Sequence, residues 1–162
     1  MAENNTSQPI ISVECVIEAD GWPREESLRD LALGAIEAAV QEAGASRPIG
    51  LTVMFTDDES IRDLNARFRG KDKATNVLSF PAAAVPGSED DSYIGDIAVA
   101  RQTVAREAEA EGKTFDHHLT HLIIHGFLHL LGYDHETPEE AEEMETMERR
   151  VLEGLAISDP YA

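Results

Sequence analysis

The stretch from Leu119 to Leu131 constrains this chain more than any other, because it is apolar enough to demand burial and yet carries imidazoles inside it. Leu122, Ile123, Ile124, Leu128 and Leu130 make it too rich for a surface helix and too short to cross a bilayer. It reads as a buried helix. Residues four apart on such a helix stand one turn above another on the same face, so His125 and His129 can grip one ion from adjacent turns. A continued helix, at about 100° per residue, would rotate His135 away from that face and carry it nearly three turns along the axis. The chain must therefore bend first. Gly132 can take the left-handed conformation that ends a helix, letting Tyr133 and Asp134 swing His135 back towards the other two.

All six histidines lie between positions 117 and 135. Three imidazoles at His125, His129 and His135 leave one position of a tetrahedral ion open for water, the arrangement of catalytic rather than structural zinc sites. The spacing thus points to metal-assisted hydrolysis with one Zn2+ ion. His121, one turn before His125, reads as a hydrogen-bonded core residue rather than a ligand. His117 and His118 fall at the start of the helix, as solvated or supporting residues.

A chain of 162 residues with 42% hydrophobic content suits one compact domain spanning 1–162, with 1–8 and 154–162 expected to be flexible and 81–93 a loop. Cys15 is the only cysteine, which excludes a disulfide framework and a cysteine zinc cluster and suits a reducing cytoplasm. Neither an export signal nor a membrane partner is indicated. The formal charge of −19 argues against an anionic substrate until its distribution is considered. Eight glutamates lie between Glu136 and Glu153, where they read as the solvated face of an outer helix. Arg62, Arg67, Arg69, Lys71 and Lys73 instead crowd a short stretch opposed only by Asp63 and Asp72. That local patch can serve as a phosphate cradle or simply as a solvated helix end and loop.

Alternating Ile11, Val13, Cys15 and Ile17 within Pro9 to Ala19 predict a strand. A helix follows, with Pro23 near its start, apolar residues at helical spacing from Leu28 to Ala39, and Gly44 at its end. Ile49 to Thr56 is a second strand. Asp57 and Asp58 open a helix that Gly70 stops, placing Arg69 at its exit. Asn76 to Phe80 and Tyr93 to Ala100 are further strands, and helices are expected over about Arg101 to Glu111, Phe115 to Leu131 and Pro138 to Leu152. The sum is an α+β fold with a mixed sheet of about four strands and packed helices, its metal site on a buried helix and the turn after it.

The run His125-Gly126-Phe127-Leu128-His129-Leu130-Leu131-Gly132-Tyr133-Asp134-His135 resembles the signature of the YbeY family of bacterial endoribonucleases. The stretch from Leu64 through Arg69, Thr75 and Asn76 to Pro81 resembles that family's other segment, and Gly95-Asp96-Ile97 its following strand. The resemblance implies a zincin-like fold, His125, His129 and His135 as zinc ligands, and Arg69 as the active-site arginine. It also implies cytoplasmic work on ribosomal RNA, in maturation and quality control, beside the ribosomal small subunit and its assembly factors, and no activity on DNA.

On this reading the bound zinc polarises a phosphoryl oxygen or activates water, and Arg69 forks onto the non-bridging oxygens of a single-stranded substrate. Arg67, Lys71 and Lys73 hold flanking phosphates. A metzincin-like metalloprotease shares the histidine spacing but places a glutamate after the first histidine, where this chain has Gly126, and Met144 and Met147 do not resemble a Met-turn. A non-catalytic, ribosome-associated protein with a structural zinc would need a fourth ligand, from His121 or Asp134. Asp134, Asp96 or a ribose 2′-hydroxyl are the groups available for proton transfer.

Overall fold

The computed structural model describes residues 10–82 and 92–157. The expectations for 1–8, for most of the 81–93 loop and for the tail beyond 157 lie outside those residues. Of the tail expected to be flexible, the described part ends a helix and packs Leu155 and Ile157 on the core. Among the described residues the elements run β1 (Ile11–Ile17), α1 (Glu25–Ala43), β2 (Ile49–Thr56), α2 (Asp58–Arg69), β3 (Val77–Pro81), β4 (Tyr93–Ala100), α3 (Arg101–Glu111), α4 (Phe115–Leu130) and α5 (Pro138–Gly154). The boundaries expected for β2, β4 and α3 coincide with those observed, and the others differ by a residue or two at element ends.

The sheet order is β1-β2-β4-β3. β1 and β4 run parallel to β2, while β3 pairs antiparallel with β4 and forms one edge. Side chains alternate across the strands, so β2 sends Leu51, Val53 and Phe55 into the main core while the half-buried Met54 packs on the opposite face. In β4, Ile97 and Val99 point one way and Ala98 and Ala100 the other. The first face is covered by α1 and α4, with α5 behind them; the second carries α2 through Ile61 and Leu64. This two-sided division sets α4 against one face of β3 and β4 and α2 against the other.

α4 is held by burial rather than by propensity. Ile123, Ile124, Phe127 and Leu128 are fully buried, each contributing about 1.5–3 kcal/mol relative to exposure. That exceeds the cost of roughly 0.5 kcal/mol for each β-branched or histidine residue in the helix. Its start is fixed by Thr114, whose hydroxyl accepts the His117 N–H at 3.1 Å. α5 begins with a reciprocal cap in which Thr137 accepts from the Glu140 N–H and the Glu140 side chain bonds back to the Thr137 N–H.

α2 is fastened to α3 through Asp58, which accepts from the Thr103 hydroxyl at 2.7 Å, the Thr103 N–H at 3.2 Å and Arg106 at 3.0 Å. Burial raises the Asp58 carboxyl, but these bonds outweigh it and hold it below its ordinary value. A depressed carboxylate contributes stability that is present above its unfolded pKa of about 3.9 and is lost as pH falls through the folded value. Asp58→Ala is therefore expected to lower unfolding free energy by about 1–2 kcal/mol at pH 7, with the exposed Arg106 bond contributing least. In urea melts the gap from wild type should close below about pH 4. A gap of equal size at pH 7 and pH 3 would show that the charge is not involved.

Candidate metal centre

The site is built where α4 runs closest to the sheet. A Cβ at Gly126 would stand 3.1 Å from both Ile97 Cγ2 and Ser79 Oγ, and the Ser79 hydroxyl donates to the Gly126 carbonyl at 2.9 Å. Only glycine permits this approach without displacing the neighbours. With Gly126 turned to the sheet, His125 and His129 face a cavity beside the β3 edge. α4 then stops at Leu130, Gly132 takes φ +108°, and the Tyr133 N–H bonds back to the Leu128 carbonyl at 3.0 Å. The turn brings the His135 ring to 5.0 Å from that of His129 and 6.0 Å from that of His125.

One imidazole nitrogen from each of the three histidines lies within 4.8 Å of the other two. The Nε2 atoms of His125 and His129 are 3.2 Å apart, close to the spacing of about 3.3 Å that a tetrahedral ion imposes with Zn–N bonds of about 2.0–2.1 Å. The proton arrangement suits metal binding as well. His129 Nδ1 lies 3.0 Å from the Tyr133 carbonyl, which can only accept, so the proton sits on Nδ1 and the Nε2 lone pair faces the cavity. Burial, and then the neighbouring His125 and His135, hold the His129 imidazole below its ordinary pKa and favour the neutral form that a metal needs. The donor set therefore fits a borderline-soft divalent ion.

The cavity, of about 700 Å3, has the three histidines on one side and Arg69, Lys71 and Lys73 on another. Arg69 reaches it from the end of α2, with Nη2 donating to the Ser79 carbonyl at 2.9 Å. The Lys71–Lys73 loop is held by buried Asn65, whose amide donates to the Lys73 carbonyl at 3.0 Å. Arg67 does not line the cavity and instead pairs with Asp63 at 3.0 Å. Arg62 is engaged by Asp72 at 2.8 Å. Asp134 and Glu136 bring negative charge to the rim near His135.

The histidines given no metal role divide as well. His117 is exposed, whereas His118 is buried, with Nε2 2.8 Å from Glu107, which also accepts from Asn76. His121 is hydrogen-bonded in the interior, and its partner corrects the reading of the acidic helix. Glu148, one of the eight glutamates expected on a solvated face, is fully buried, with one carboxylate oxygen 2.7 Å from His121 Nε2 and the other 2.7 Å from His125 Nδ1. The sequence held a signal for it. Met144, Glu148, Val151 and Leu152 recur at helical spacing along the buried stripe of α5, so Glu148 occupies an apolar position, where a carboxylate needs partners.

Three converging imidazoles that share one recess with Arg69, Lys71 and Lys73 are the arrangement of a metal-dependent hydrolase for an anionic substrate. Similarity to known proteins narrows this further. Residues 17–156 match the family described as Endoribonuclease YbeY, and the chain belongs to that family. It is 52% identical over 165 residues to the Endoribonuclease YbeY of Chelativorans sp. (strain BNC1), covering 100% of both chains. It is 60% identical to that of Rhodopseudomonas palustris (strain ATCC BAA-98 / CGA009), over 92% of this chain and 80% of the relative. The solution structure of TM1509 from Thermotoga maritima is 29% identical and superposes with a TM-score of 0.55, covering 93% of this chain and 99% of that one.

The seating of Gly126 gives a direct check on the peptidase alternative. A glutamate there would meet Ile97 and Ser79 rather than the cavity, so Gly126→Glu is expected to destabilise the fold by more than about 3 kcal/mol, through overpacking and a buried charge. Urea unfolding measures this. A variant of wild-type stability that gained peptidase activity would contradict the packing described.

Proposed function

We propose that this chain, working as one catalytic domain over 1–162, is a metal-dependent endoribonuclease that prefers single-stranded RNA and acts in ribosomal RNA maturation and ribosome quality control. The carrying observation is the placement of three imidazole nitrogens within 4.8 Å of one another in a cavity shared with Arg69, Lys71 and Lys73. The family supplies the substrate class, RNA. His125, His129 and His135 would hold one zinc ion. Zinc in such a site offers Lewis acidity and lowers the pKa of coordinated water to about 7.

The chain's own residues do the rest. Arg69 uses one nitrogen to hold the Ser79 carbonyl and directs its remaining N–H donors at the non-bridging oxygens of the scissile phosphate, where charge grows in the transition state. Lys71 and Lys73 hold the adjoining phosphates inside the recess, and Arg67, on the outer side of the same helix end, meets one beyond it. An unpaired strand can bend a phosphate into this recess between the β3 edge and the turn after α4, which a stiff duplex resists. The partners are ribosomal RNA, the small subunit and its assembly factors, in the cytoplasm; no described helix is long and apolar enough to cross a membrane.

The peptidase alternative lacks the glutamate that would directly follow His125, where Gly126 stands, and among the described residues neither His121, which is directed to Glu148, nor Asp134 joins the three-histidine group, as a closed structural site would need. Metal content and cleavage of a single-stranded RNA test the proposal together. His129→Ala should lose both. Arg69→Ala should keep the metal and lose about 100-fold or more in rate, and Arg69→Lys should recover little of it, because an ammonium cannot reproduce the planar fork. Metal loss in His129→Ala without loss of cleavage would sink the proposal, and equal activity in every variant would reveal a contaminating nuclease.

A further inference from the structure

We infer that Glu148 is a positioning residue of the metal site: from α5 it sets which nitrogen His125 presents to the metal, with His121 bracing the same carboxylate. The inference rests on reading His125, His129 and His135 as a metal site. Glu148 has a side chain 1% exposed, and its two oxygens are each 2.7 Å from an imidazole nitrogen one helical turn apart on α4. A carboxylate in that position accepts, so the N–H groups lie on His121 Nε2 and His125 Nδ1. A neutral imidazole carries one N–H, and placing it on Nδ1 leaves the lone pair of His125 on Nε2, the atom 3.2 Å from His129 Nε2.

The two helical histidines therefore receive the same instruction from different sources. For His129 it comes from the Tyr133 backbone carbonyl, which no side-chain substitution removes. For His125 it comes from a side chain on another helix. α5 contributes no residue to the cavity lining, yet Met144, Val151 and Leu152 pack it into the core and aim Glu148 at α4. His121 occupies the second oxygen and stops the carboxylate turning away from His125. An outer helix that touches no substrate thereby governs the affinity of the site, and the buried glutamate on its apolar stripe has a use that compensates for its burial.

Titration of the apo protein with Zn2+ against a chromophoric chelator, together with 15N NMR of the histidine rings in the apo form, tests this. Glu148→Ala should weaken zinc binding about 10–100-fold and release His125 from a single Nδ1–H tautomer into a mixture. Glu148→Gln, which offers one acceptor oxygen, should bind with intermediate affinity: its oxygen stays on His125 and its amide forces the His121 proton from Nε2 to Nδ1. Should Glu148→Ala not fold, Glu148→Gln decides alone. Wild-type zinc affinity with unchanged tautomers in a folded variant overturns the inference, even where thermal stability drops, since that leaves Glu148 only a structural part. His129→Ala keeps the two claims apart. If it binds zinc like wild type, the triad reading fails and takes this inference with it; if it loses zinc while Glu148→Ala keeps it, this inference alone fails.

Discussion

Much of this molecule follows from how closely α4 can lie on the sheet. The missing side chain at Gly126 lets the helix backbone come within hydrogen-bonding reach of Ser79, and that one serine works in two directions. Its hydroxyl secures the Gly126 carbonyl, and its own carbonyl receives the Arg69 guanidinium. The histidine side of the cavity and its cationic side are thus indexed to the same residue on β3. A helix displaced outward by even a methyl group would separate α4 from β3 and loosen the register between imidazoles and arginine, because a packed interior does not deform continuously.

The charge distribution follows the same division. A formal charge of −19 surrounds a recess whose lining includes three cations. Arg62 and Arg67, which look equivalent in the chain, are occupied by Asp72 and Asp63 at the surface. A polyanion approaching at random is repelled over most of the surface and attracted where lysine and arginine side chains gather, at the end of α2 and along the recess beside it. The resulting field steers orientation on encounter, an effect that weakens as salt rises.

How far the sequence discloses this depends on whether a signal is periodic or compositional. Alternation of Ile11, Val13, Cys15 and Ile17 made β1 legible, and the Asp57 and Gly70 signals bounded α2 as expected. The bend at Gly132 followed from the geometric need to return His135. Composition misled where it averaged over faces. The glutamates of α5 read as one solvated surface, although the helical period already sets Glu148 on the apolar stripe with Met144, Val151 and Leu152. The basic stretch likewise read as one patch, but residues two apart on a helix are separated by about 200°. Arg67 and Arg69 accordingly end on different sides of α2. The partner of a buried charge is a tertiary fact, invisible until α4 and α5 are packed together.

The bond from Arg69 to the Ser79 carbonyl has one more consequence, which concerns entropy. A free arginine side chain samples many rotamers, and ordering it on a ligand costs on the order of 2 kcal/mol. Here folding has already fixed one arm of the guanidinium at 2.9 Å from a backbone oxygen of an edge strand, so the plane of the fork is set before any anion arrives. What a ligand gains from the remaining donors is correspondingly less diminished by the loss of freedom. The edge strand is in this sense a splint, converting a flexible surface cation into a rigid element of the recess.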